Sequence, residues 1–213
     1  MVRQCQEKGY VHCDGWSAYD MLNVKRVGCW AHTRRYFKEA VDIQADKKDY
    51  STIAGQGFLL IEKIFSTEHK ITDEKAIKKI RSKTGKEAVE EFFAFCETTE
   101  TLPKSLTGKA VSYTKNQKEN LMRYLEDERL EMTKNSAERA VKPFVIGRKN
   151  WLFCNTPGGA TASARIYSII ETAKANNLKI YDYFVWIFEN IHTLKTEELL
   201  PWSNKIPKKI QKI

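Results

Sequence analysis

Apolar runs of two kinds alternate along this chain, and they divide it. Residues 9–14, Gly-Tyr-Val-His-Cys-Asp, read as a short buried strand that ends on an aspartate, with Gly15 as the breaker. Ser17 to Leu22 suits a short helix, and Val24 to Trp30 a second strand. Thr33 suits the N-cap of a helix that carries Tyr36, Phe37, Ala40 and Val41 on one apolar stripe. From residue 45 to 128 the spacing turns helical. Phe58, Leu59, Ile61, Ile64 and Phe65 form one segment, Ala76, Ile77 and Ile80 a second. Ala88, Val89, Phe92, Phe93 and Cys96 form a third, and Leu121, Met122, Tyr124 and Leu125 a fourth. Thr101 to Gly108, with Pro103, reads as a loop.

The last third changes again. Residues 129–160 predict a short strand, a short helix, a basic turn and a break at Gly158-Gly159. A helix is expected from Ala160 to Asn176, with Ile166, Ile169, Ile170 and Ala173 on one face. Another is expected from Tyr181 to Ile191, where Phe184, Ile187, Phe188 and Ile191 recur at helical spacing. The ending, Lys-Ile-Pro-Lys-Lys-Ile-Gln-Lys-Ile, reads as a mobile basic tail. No internal repeat is visible.

Composition narrows the class. The 213 residues, 42% of them hydrophobic, suffice for one sizeable core, or a core plus a small insertion. No run approaches the roughly 18 apolar residues of a membrane span, and the first residues hold no apolar stretch long enough for a signal peptide. The expected location is the cytoplasm. The five cysteines are odd in number and contain no Cys-x-x-Cys pair, so reduced thiols are expected rather than a disulfide scaffold or a zinc ribbon. The formal net charge of +9 favours polyanionic partners.

Two carboxylates stand out against that charge. Asp14 sits at a predicted strand end, where sheet proteins present side chains to ligands, and Gly15 leaves room beside it. A carboxylate so placed suits Mg²⁺, although on the residues alone an Asx-turn at the strand exit is the simpler explanation. Glu138 closes an Asn-Ser-Ala-Glu capping box with Asn135 as N-cap. It is also the single acid among Lys134, Arg139, Lys142, Arg148 and Lys149, a segment suited to phosphate and metal chemistry, or simply a solvated basic face. A second basic stretch holds Lys25, Arg26, Arg34, Arg35 and Lys38 with no acid among them. Cys29 and His32 form a lone Cys-x-x-His, too few ligands for zinc. Trp30, Tyr36, Trp151 and Phe153 interleave with the cations as a DNA-contacting surface would, and core packing explains most of them as well.

Four blocks, in order, resemble the IS66 family of DDE-type transposases. Tyr-Val-His-Cys-Asp-Gly-Trp-Ser-Ala-Tyr resembles the segment with the second acidic residue of the triad, and Gly-Cys-Trp-Ala-His-Thr-Arg-Arg-Tyr-Phe the Cys-x-x-His stretch after it. The stretch from Asn135 to Phe153 resembles the block with the terminal glutamate, and Gly158 to Asn177 together with Leu199 to Trp202 the C-terminal helix and ending. The resemblance implies an α/β fold. It would have a partial RNase H-like core at residues 1–44, a mainly α-helical insertion at 45–128, and the end of the core with C-terminal helices at 129–202. A basic tail would follow at 203–213.

The same resemblance implies two-metal phosphoryl transfer on DNA, with Asp14 and Glu138 as catalytic, Mg²⁺-binding carboxylates. It implies Cys29 and His32 as residues that order the site, and Arg34, Arg35, Arg139, Lys142, Arg148 and Lys149 as DNA contacts. Two departures qualify it. Thr133-Lys134-Asn135 stands where the family often has an acid and two asparagines. The family's first aspartate belongs to a strand upstream of Asp14, and no Asp lies among residues 1–13. The expectation is therefore a truncated transposase lacking the leading strands and inactive alone. The alternative is a DNA-binding or regulatory fragment without catalysis. Expected partners are transposon-end and target DNA, a second copy or a full-length transposase, and no membrane.

Overall fold

Strand β1 (Tyr10–Cys13) and strand β2 (Lys25–Gly28) pair in parallel, with Tyr10 opposite Lys25 and Cys13 opposite Gly28. They form the one sheet among the described residues of this computed structural model, which are 9–15, 17–21, 23–151 and 156–211. A parallel pair needs a crossover of roughly a dozen residues or more. Here it is close to that minimum and contains a 3-10 turn at Ser17–Met21. The rest of the protein is mostly helical. Contacts divide it into two compact units, Met1–Ser136 and Ala137–Ile213.

In the first unit, α1 (Trp30–Asp42) follows β2 directly. The region 45–128 is helical: α2 (Ile53–His69), α3 (Glu74–Ile80), α4 (Lys86–Thr98) and α6 (Lys118–Met122) match its four periodic segments, and α5 (Leu106–Asn116) is an additional helix. A π-helical turn at Arg81–Gly85 joins α3 to α4. The core gathers Val27 and Trp30 from the sheet end and Phe37 and Val41 from α1. Ile61 and Ile64 of α2, Phe92 and Phe93 of α4, Val111 of α5 and Leu121 of α6 complete it.

The indole of Trp30 is fully buried, and its ring lies within 5.6–6.3 Å of those of Phe92, Phe93 and Tyr124. Its Nε1–H donates to the Leu121 carbonyl at 3.0 Å, so the ring's polar edge is satisfied. Arg81, also buried, pairs with Glu68 and donates to the carbonyls of Tyr124 (3.1 Å) and Leu130 (2.8 Å). The segment after α6 is thereby tied to the turn between α3 and α4.

Several expectations change. Helix α1 begins at Trp30 with Cys29 as N-cap, three residues before Thr33, which is itself buried. Core packing of Trp30 outweighs the capping preference of a threonine. Helix α5 starts inside the predicted loop, capped by Ser105, whose hydroxyl accepts from Gly108 N–H. No strand forms over 129–134.

In the second unit, α7 (Asn135–Trp151, its first two residues belonging to the first unit) replaces the predicted short helix and basic turn with one continuous helix. Pro143 lies inside it, a position that costs roughly 3 kcal/mol in helix terms. Ala140, Val141 and Phe144 face Ala164, Tyr167 and Ser168 of α8 (Pro157–Ala175), and the Phe144 and Tyr167 rings meet edge-on at 5.3 Å. Thr156 caps α8 by accepting from Gly159 N–H, so the Gly-Gly pair opens the helix instead of breaking the chain before it. Asn135 is the first residue of α7, and Glu138 lies in its first turn. Helix α9 (Ile180–Asn190) matches its periodicity, and a single turn, α10 (Thr196–Leu199), follows.

As far as residue 211 the ending, expected as a mobile tail, is docked: Ile206 and Ile210 are buried against Leu178, Tyr183 and Trp186, and Gln211 bridges to Leu178. Spaced isoleucines between the lysines supply an apolar face that the charge count obscures.

Two predictions follow from this packing. A Cβ on Gly57 of α2 would stand 2.2 Å from Phe37 Cε1. Gly57→Ala gains about 1 kcal/mol of helix propensity and meets an overpacking cost of about 1–3 kcal/mol. Phe37 is fully buried and cannot swing away, so overpacking wins. Urea denaturation should show the variant less stable by about 1 kcal/mol or more.

Burial raises the Tyr183 phenol from its ordinary 10.0 to about 12. Its hydroxyl donates to the Leu199 carbonyl at 2.6 Å. The stability it contributes is complete below pH 10 and is lost as pH rises towards 12. Melting temperatures of the wild type should fall across that window more steeply than those of Tyr183→Phe.

Candidate functional site

Asp14 is the first residue beyond β1, at the C-terminal end of a parallel strand. Its carboxylate Oδ2 accepts from Lys134 Nζ at 2.9 Å, and its backbone carbonyl accepts from the Tyr113 hydroxyl of α5 at 3.0 Å. Tyr113 lies against Tyr36 of α1, ring centroids 4.7 Å apart. Burial, first of several causes, pushes its phenol well above the usual tyrosine range, so it acts as a fixed donor. Gly15 has φ +84°, and a Cβ there would come within 3.0 Å of the Gln117 side chain. The turn after Asp14 thus needs glycine for both conformation and space.

The Cys-x-x-His turn lies beside this strand end. Cys29 is fully buried, and its Sγ accepts from Lys134 N–H at 3.4 Å. Next to it, Trp30 N–H donates to the Met132 carbonyl at 3.2 Å. His32 is half-buried in the first turn of α1, its N–H bonded to the Cys29 carbonyl at 3.1 Å. The buried thiol therefore seats the 132–134 segment. On β1 itself, burial lowers the His12 imidazole below its ordinary value, and the nearby Glu131 carboxylate partly offsets that. The structure thus gathers Asp14, Cys29, His32, Tyr113 and Lys134 in one unit.

Glu138 lies in the first turn of α7, exposed, with Arg139 and Lys142 exposed on the same helix. Arg148 and Lys149 also belong to α7, and their side chains lie outside the described residues. Asp14 and Glu138 fall in different units. Arg34 and Arg35 diverge in surroundings. Arg34 pairs with Glu62 of α2 and lies over the rings of Phe58 and Phe65 at 5.5 and 5.6 Å, clamping α1 to α2. Arg35 is exposed.

No group of three or more His, Cys, Asp or Glu side chains suited to a metal occurs among the described residues. The Asp14 carboxylate is paired with the Lys134 ammonium, which repels a divalent cation. As folded, the residues gathered there do not make a Mg²⁺ site. No described helix is long and apolar enough to cross a membrane.

The described residues thus make an α/β-containing protein, with a parallel strand ending on a carboxylate, a helical region and a basic helix. The model of the family described as transposase IS66 family matches residues 1–162, and that of the IS66 C-terminal element matches residues 168–202. The chain belongs to the IS66 transposase family. It is similar to three curated proteins of Sinorhizobium fredii (strain NBRC 101917 / NGR234). The uncharacterized protein y4qI is 27% identical over 92% of this chain and 39% of its own length. The uncharacterized protein y4hP is 27% identical over 83% of this chain and 35% of its own. The uncharacterized protein y4jD is 24% identical over 92% and 41%. The chain thus spans about two-fifths of the length of these relatives. No solved structure matches it.

Sequence reasoning missed Tyr113 and gave Lys134 no role beyond charge. Tyr113 is an ordinary stripe residue of an unpredicted helix, and only the fold brings it to Asp14. Lys134 did carry a signal, a lysine where the resemblance puts an asparagine.

Gly15→Ala should cost about 1–2 kcal/mol of stability, because an L-residue is strained at that φ. A thermal melt checks the loss, and an unchanged midpoint would refute the tight-turn account.

Proposed function

We propose that this chain carries the second and third carboxylates, Asp14 and Glu138, of a DDE-type transposase built on an RNase H-like core, with residues 45–128 as its helical insertion. The observation that carries the reading is Asp14 itself. It stands at the end of a parallel strand, beside the segment that leads directly into the helix of Glu138, in a chain of the IS66 family. In the intact family the reaction is DNA transposition, with transposon-end and target DNA as substrates and a second copy or a full-length transposase as partner. The cytoplasm is its expected location. Two Mg²⁺ ions would supply charge neutralisation at the reacting phosphate when bound. The carboxylate of Asp14 alone, beside Lys134, does not hold them.

Arg35, Arg139, Lys142, Arg148 and Lys149 are assigned to phosphate contacts, in which each neutralised charge adds to the salt dependence of binding. Arg34 ranks behind them because Glu62 already neutralises it. A second reading, DNA binding without catalysis, is favoured by the Asp14–Lys134 pair, which occupies the carboxylate that chemistry would need.

Electrophoretic shift of duplex DNA across a salt series should show binding that weakens with salt. The combined Arg139→Ala, Lys142→Ala variant should flatten the slope of log affinity against log salt by about 1.8. Strand transfer of transposon-end DNA by the 213-residue chain alone in Mg²⁺ should be absent. Salt-independent binding, or an unchanged slope, would remove the phosphate assignment. Mg²⁺-dependent joining would remove the non-catalytic reading.

A further inference from the structure

The Asp14–Lys134 pair differs from most ion pairs among the described residues, and only Arg81–Glu68 is more buried there. Lys38–Asp42 and Lys63–Glu91 join side chains that are all about half exposed, the kind of pair that holds little in place. Lys134 has a side chain only 18% exposed, against 37% for Asp14. Both partners are also fixed through their backbones. Lys134 N–H is held on the buried Cys29 Sγ, and the adjoining Met132 carbonyl is held by Trp30 N–H. On the other side, the Asp14 carbonyl is held by Tyr113, and the turn that follows is one only glycine makes easily. The core therefore places the ammonium against the carboxylate. Two flexible side chains meeting by chance would show none of these anchors.

We propose that Lys134 is a built-in counter-cation of Asp14, which excludes divalent ions from the strand-end carboxylate until the 132–135 segment moves. This rests on the reading of Asp14 as a transposase carboxylate. An ammonium donates hydrogen bonds and cannot coordinate a metal. A divalent cation approaching the same carboxylate meets a like charge fixed 2.9 Å from Oδ2. The lysine side chain must leave before the ion can bind on that side. Cys29 and Trp30 set how readily it leaves, because they hold the backbone on which Lys134 is mounted. Lys134 is on this account a positioning residue that keeps the site closed, and displacing its segment opens it.

The test uses the ¹⁵N-labelled full chain and Mn²⁺, whose paramagnetism broadens the amide signals of nearby residues. Wild type, Lys134→Gln, Lys134→Asn and Lys134→Arg are titrated and followed at Asp14 and Gly15, and MgCl₂ is added to reverse the broadening. The two neutral variants guard against one failing to fold, which the amide spectrum reports directly. The expected result is Mn²⁺ binding at Asp14 about tenfold or more tighter in the neutral variants than in wild type, the size of effect a removed neighbouring charge has on a carboxylate. Lys134→Arg should stay close to wild type. Equal broadening in wild type and the neutral variants would overturn the inference while leaving Asp14 as a metal carboxylate. No broadening at Asp14 in any variant would overturn it too, and would also count against the proposed role of Asp14.

Discussion

Trp30 occupies the point where the first unit is tied together. It stands where β2 passes into α1, and its indole fills the centre of the core among Phe92, Phe93 and Tyr124. Its two nitrogens bond two distant stretches of chain, Nε1–H to Leu121 and the backbone N–H to Met132. A buried indole without a partner for its N–H would cost on the order of 1–3 kcal/mol. The fold therefore has to bring α6 and the 130s to the end of the sheet. Arg81 completes the arrangement from the other side. Its buried guanidinium collects Glu68 and the carbonyls of Tyr124 and Leu130, leaving little freedom in the chain that leads to Met132.

The neighbourhood of Asp14 follows from those constraints. Once Met132 is bonded to Trp30, Lys134 lies over Cys29, and the thiol takes its N–H. The lysine side chain then reaches back to the carboxylate at the end of β1. The helical region contributes as well, since α5 supplies the Tyr113 hydroxyl and α6 the backbone that receives the indole. That region is thus part of the support of the strand-end carboxylate, although it holds none of the residues the sequence marks for chemistry.

The legible parts of this protein were those encoded locally. The short buried strand at 9–14, the glycine after Asp14 and the helical spacing of α2, α4 and α9 could each be read from neighbouring residues. The four ordered blocks pointed to the family for the same reason. What could not be read depended on partners far along the chain. Trp30 draws the start of α1 back from Thr33 because of Leu121 and Met132, which the local sequence cannot announce. The run of basic residues suggested a turn, yet α7 runs through it as one helix, with Phe144 edge-on to Tyr167. The lysine-rich ending looked solvated, and two isoleucines dock it. Lys134 counted as one more cation until the fold set it on a carboxylate 120 positions away.

The central claim is that the core forces Asp14 and Lys134 together. A double-mutant cycle with Asp14→Asn and Lys134→Gln, read by urea denaturation of the full chain, tests it most directly. The account predicts that the two substitutions are coupled by about 0.5 kcal/mol or more, and that the coupling persists in moderate salt because the pair is partly buried. Additive effects, agreeing within about 0.3 kcal/mol, would contradict it.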